Sequence, residues 1–187
     1  MHIAAMLILT MAPWMSMASD EAPGNKPGWF KRAFGNLSWN EIQLVVDTPR
    51  EASAAVRQNI RYAEDLGDTW TGGEETWNRG SGDCEDMAAA VVEMVHKVGG
   101  EASIVVFRPE NSGAGHAVAI GTWQGRQWVS SNGFYYSVKS LDQAKTLVAR
   151  EMGWRHGLIV AEPVDTARMA NTTVASRQPS SVRIMLP

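Results

Sequence analysis

The run Asp83–Val98 (DCEDMAAAVVEMVHKV) constrains this chain most, because its apolar residues at 87, 88, 91, 94, 95 and 98 form the stripe of an amphipathic helix. Gly99-Gly100 stops it. Three strand-like runs follow, Ala102–Phe107, His116–Trp123 and Gln127–Ser131, with Gly125 turning between the last two. A helix with a stripe to bury, followed by consecutive strands, predicts an α+β domain in which the helix packs on a small antiparallel sheet.

The flanks extend this pattern. Thr48 is a helix cap with Pro49 at the first helical position, and Ala52, Ala55, Val56, Asn59, Ile60 and Ala63 share one face of a helix expected to end before Gly67. Asp68–Gly82 reads as a Gly-rich loop anchored by Trp70 and Trp77, and Trp29–Trp39 as a packed N-terminal arm. Downstream, Leu141–Glu151 reads as a helix and Gly157–Ala161 as a strand. No internal repeat is visible.

The termini carry a different message. Ile3–Leu9 and the nearly uncharged residues to Met17 read as a secretory signal peptide, too short to span a bilayer, with Ser16 and Ala18 as the small residues before a cleavage site. The expected organisation is a signal peptide over 1–18, a linker and arm over 19–47, a catalytic-type domain over 48–164 and a loose tail over 165–187. The product would be periplasmic or secreted. With 17 basic against 20 acidic residues and no basic cluster, the chain has no nucleic-acid footprint. Its single cysteine excludes an internal disulfide and a Cys-rich metal site.

That cysteine, Cys84, falls in the first turn of the 83–98 helix. Free N–H groups and the helix dipole there favour an anion, the placement a thiolate nucleophile needs. A free cysteine also packs well as a small hydrophobe, but Asp83, Glu85 and Asp86 surround this one and the apolar stripe begins after it. Three carboxylates raise a thiol pKa, so the site calls for a cationic partner. His116, opening a strand after a Gly/Ser-rich turn, is the candidate base, and Asn132, with Ser130 and Ser131 before it, lies across the hairpin where an imidazole could be oriented. His96 and His156 lack such surroundings.

Asp68–Glu74, the Gly82-Asp83-Cys84-Glu85-Asp86 block, Gly115-His116-Ala117-Val118 and Trp128–Asn132 together resemble the bacterial transglutaminase-like cysteine proteinases of the LapG-like, periplasmic kind. The resemblance spans residues 48–135. It implies a papain/transglutaminase-like α+β core with Cys84 as nucleophile, His116 as base, and Asn132 or Ser131 at the orienting position where the family has Asp. It also implies a calcium ion on Asp83 and Glu85, no organic cofactor, a protein or peptide substrate and an inner-membrane regulatory partner. The alternative for the carboxylates is that they favour the positive end of their helix.

Three functions stay open at this level. One is an exported cysteine peptidase; another is a transglutaminase-type acyltransferase or cell-wall amidase with the same triad; the third is a non-catalytic binding module that retains the fold.

Overall fold

The structure is a computed structural model that describes residues 36–64, 69–110, 112–113, 115–154 and 159–164. The expected signal peptide, the linker, most of the arm and the C-terminal tail lie outside the described residues.

Helix α1, Trp39–Val45, opens on a capping box in which the Glu41 carboxylate accepts from the Ser38 N–H at 3.0 Å and the Ser38 hydroxyl at 2.9 Å. Helix α2, Pro49–Asn59, starts as its sequence predicts, with Thr48 Oγ1 accepting from the Glu51 N–H at 3.2 Å. It stops earlier than the apolar pattern suggests. Ile60 is already extended, and Arg61–Tyr62 form β1, paired in parallel with β2, Ser81–Gly82.

The segment read as a loop contains a helix, α3, Gly73–Arg79. Glu74 and Glu75 lie in its first turn and Arg79 in its last, matching the helix dipole, and Gly80 closes it at φ +67°. Trp77 is buried against Trp39, ring centroids 6.1 Å apart, and donates its indole N–H to the Leu37 carbonyl at 2.9 Å. It is a packing anchor.

Helix α4, Cys84–Lys97, is the centre of the molecule. Asp83 caps it, accepting from the Asp86 N–H at 3.4 Å, and every residue from Glu85 to Val92 is buried. The helix lies between α2 and α3 on one side and the sheet on the other. It is buried well beyond the predicted stripe, and its small residues Ala88, Ala89 and Ala90 let its neighbours approach.

Five strands form an antiparallel sheet in the order β6-β5-β4-β3-β7: β3 Glu101–Pro109, β4 His116–Trp123, β5 Arg126–Ser131, β6 Phe134–Val138 and β7 Ile159–Pro163. The three predicted strands are present, and β6 is an addition. Two-residue turns with two positive φ angles join β4 to β5 (Gln124 +49°, Gly125 +74°) and β5 to β6 (Asn132 +45°, Gly133 +76°), the primed geometry that Xaa-Gly pairs favour. At Gly133 any side chain would also collide with α2, since a Cβ would sit 2.6 Å from that of Arg57.

Helix α5, Leu141–Glu151, is capped by Ser140 and covers the opposite face of the sheet. Strand alternation therefore divides the interior in two. Ile104, Ala117, Ala119 and Trp128 face the α1–α4 layer, whereas Val105, Phe107, Val118, Val129 and Val138 face Ala144 and Val148 of α5. No helix among the described residues is long and apolar enough to cross a membrane.

Candidate functional site

Gly82 is the residue that lets the Gly-Asp-Cys-Glu-Asp block fold as it does. A Cβ there would lie 2.7 Å from that of Asp86 and 3.0 Å from Thr76 Cγ2. Asp86, only 2% exposed, ties α3 and its approach to α4: it forms an ion pair with Arg79 and accepts from the Thr71 N–H at 3.0 Å and hydroxyl at 2.8 Å. One of the three carboxylates around Cys84 is thus neutralised for structural ends.

Asp83 and Glu85 remain beside the thiol. Burial and the neighbouring Glu85 charge push the Asp83 carboxyl up to about 7. The Cys84 thiol donates to Glu85 Oε2 at 3.2 Å and packs, part-buried, against the first core. Burial, with that hydrogen bond and the Glu85 charge, pushes the thiol up to about 12, while the nearby Ala117 backbone N–H pulls the other way. Unassisted, this environment keeps the thiol protonated. The N–H groups of Cys84 and Glu85 have no acceptor among the described residues, because the Asp83 side chain and carbonyl serve the next two, those of Asp86 and Met87.

β4 brings its first residues to this helix end. Register makes Ala117, not His116, share the face of Ile104, Ala119 and Trp128; His116 pairs with Phe107 on the α5 face. There its Nε2 lies 2.8 Å from Ser131 Oγ, with His116 2% exposed and Ser131 fully buried. Burial lowers the imidazole to about 4, so the ring is neutral at physiological pH. No hydrogen bond joins Cys84 to His116, although their elements meet at Ala117.

Of the two candidates for the orienting position, Ser131 makes the hydrogen bond. Asn132 sits in the turn, and its buried Oδ1 has no partner among the described residues, a condition shared by Ser130 Oγ and Trp128 Nε1 of β5. His96 lies apart, its Nε2 2.8 Å from the Ala102 carbonyl, and His156 is outside the described residues.

Asp83 and Glu85 offer oxygen donors of the kind calcium takes. They are two donors where calcium takes about six to eight. Among the described residues no group of three or more His, Cys, Asp or Glu side chains is arranged to hold a metal ion.

Two residues near the site escape sequence reasoning. Tyr62, 46% exposed, pairs with Gly82 through β1 and β2, and its phenol is raised by burial and by the charges of Cys84, Glu64, Asp83 and Glu85. A two-residue strand has no periodicity to announce it. Glu151 ends α5, where a carboxylate opposes the helix dipole, a signal that was legible. Burial raises its pKa and the Ser131 hydroxyl lowers it. A cleft of about 520 Å³ lies elsewhere, lined by Leu37, Ser38, Glu41, Asn59, Trp77 and Asn78, and does not include Cys84 or His116.

No family model and no curated protein matches the chain. Among solved structures it is similar to Legionella pneumophila LapG, at 17% identity over 59% of this chain and 70% of that one, TM-score 0.45. Calcium-bound LapG gives 16% identity over 63% and 73%, TM-score 0.46, and EGTA-treated LapG 17% over 64% and 71%, TM-score 0.47.

Proposed function

We propose that this chain is an exported thiol hydrolase, most simply a cysteine peptidase acting on a periplasmic or surface-associated protein, with Cys84 as its nucleophile. The observation that carries this reading is the position of the only thiol: at the N-terminus of the central helix, beside two N–H groups with no acceptor among the described residues and the first residues of the His116 strand.

The chemistry follows from those groups. The Cys84 thiolate adds to an amide carbonyl, and the developing oxyanion lies within the field of the free Cys84 and Glu85 N–H groups. For His116 to carry the thiol proton to the leaving amine as the C–N bond breaks, its ring must give up the Ser131 contact and reach the Cys84 side of the sheet. Water then adds to the thioester, the C–S bond breaks, and the acid and Cys84 are released. Asn132 and Ser131 are the residues for orienting the ring, with Ser131 favoured by its 2.8 Å contact. Asp83 and Glu85 supply two of the oxygen donors that a calcium ion would need, and the ion's charge would offset theirs.

A second reading, a binding module that keeps the fold without the activity, is favoured by one observation: His116 is bonded on the α5 face while Cys84 packs on the other. The rate of Cys84 alkylation by iodoacetamide against pH, in wild type and His116→Ala, with and without added calcium, separates the two. Catalysis predicts a thiol that becomes reactive near neutral pH with calcium and loses that reactivity without His116. A thiol that stays inert through pH 9 under every condition overturns it.

A further inference from the structure

β6 ends the strand order β6-β5-β4-β3-β7, so one side of its backbone has no strand against it. The two-residue turn at Asn132-Gly133 makes Ser131 and Phe134 the first hydrogen-bonded pair of the hairpin, and the pattern then alternates. Tyr136 and Val138 pair with β5, whereas the N–H and C=O groups of Tyr135 and Ser137 point outward. Those outward groups have no partner among the described residues. The strand reads FYYSV, without the charge or proline that commonly blunts an exposed edge; β7, at the other edge, carries Glu162 and Pro163.

Cations flank this edge. Arg50 of α2 lies 4.6 Å from the ring centroid of Tyr135, which also stacks on Trp128, and Arg57 lies 4.7 Å from that of Phe134, itself 44% exposed. A guanidinium laid on an aromatic face keeps its N–H edge for acceptors. Neither arginine has an ion-pair partner among the described residues, and Glu51, next to Arg50 on the helix, accepts instead from the Asp47 N–H at 2.9 Å. Outward backbone groups with unpaired cations beside them match an extended chain that carries carboxylates. β6 also starts at the turn that follows Ser131, the residue bonded to His116, so a chain laid along it reaches the candidate site.

We propose that β6 takes an extended acidic segment of the protein substrate as a further strand, its backbone paired with Tyr135 and Ser137 and its carboxylates on Arg50 and Arg57. That the segment belongs to a substrate rests on the thiol hydrolase reading; the docking does not.

The test follows the fluorescence anisotropy of a labelled, end-blocked Thr-Asp-Thr-Asp-Thr-Asp peptide added to the full chain. Arg50→Gln and Arg57→Gln are each expected to weaken binding about two- to fivefold, and a Thr-Lys peptide of the same length is expected not to bind. Two N-methylated peptides read the backbone. An added strand turns only alternate N–H groups to its neighbour, so methylating the Thr amides and methylating the Asp amides should differ, one weakening binding about tenfold and the other little. Ser137→Pro removes an outward N–H and leaves the β5 ladder intact, so it should lose the peptide at an unchanged melting temperature; should it unfold, the methylated pair decides. Equal effects of the two methylations, unchanged affinity in both arginine variants, or no binding of the Asp peptide overturns the proposal. So does a wild-type dimer that Ser137→Pro dissolves, since the edge then takes a second copy of the chain. Alkylation of Cys84 keeps the two claims apart: binding as expected with a thiol inert under every condition sinks the hydrolase reading alone, and a reactive thiol without peptide binding sinks the docking alone.

Discussion

Burial acts on both candidate catalytic residues in one direction, toward the neutral form: the thiol rises to about 12 and the imidazole falls to about 4. For His116 the consequence is acid instability. The unfolded chain takes a proton near 6.5 and the folded one only near 4, so stability present above 6.5 is lost as pH falls through that interval. A shift of this size is worth about 3 kcal/mol. Denaturant unfolding of His116→Gln between pH 7 and pH 4 should therefore show a flatter acid limb than wild type. For Cys84 the local cause is Glu85, which accepts the thiol proton and repels the thiolate. Glu85→Gln should speed iodoacetamide alkylation at pH 8, and an unchanged rate would mean that desolvation alone controls the sulfur. Position and chemistry of these residues are legible in sequence. The hydrogen bond to Ser131 is not, because it depends on two strands being in register.

Among the elements, the joint between α3 and α4 illustrates how little a short helix reveals of itself. Seven residues entered by two glycines give no periodic stripe, and α3 forms because Trp77 finds Trp39 and Arg79 finds Asp86. Removing Asp86, itself only 2% exposed, deletes the ion pair with Arg79 and leaves the Thr71 N–H without its acceptor; Asp86→Ala should cost about 3 kcal/mol in urea unfolding. Asp83 works the other way. Its pKa is raised from 3.8 to about 7, so its charge penalises folding increasingly as pH climbs through that range. Asp83→Asn keeps an oxygen for the helix cap, and its melting temperature should exceed that of wild type at pH 8 and converge with it at pH 4. Helices α2 and α4, in contrast, announce themselves through their apolar faces, and α2 also through Thr48 and Pro49 at its start.

At the scale of the whole molecule, the sheet separates two interiors. Phe107, fully buried, belongs to the α5 side. Phe107→Ala should lower stability by about 3–5 kcal/mol with an unchanged denaturant slope, as expected if both layers unfold together. A change in slope would show that α5 separates from the rest. Sequence alone determines that a helix opening on Cys84 precedes three antiparallel strands, because helical and strand periods and glycine stops are local properties of the chain. It also nominates Cys84 and His116 as the residues proposed to carry the chemistry. Only the tertiary structure decides which of them meet: alternation turns Ala117 toward the thiol layer and His116 toward Ser131 and the α5 face, since in a strand one residue of register exchanges the two sides of the sheet.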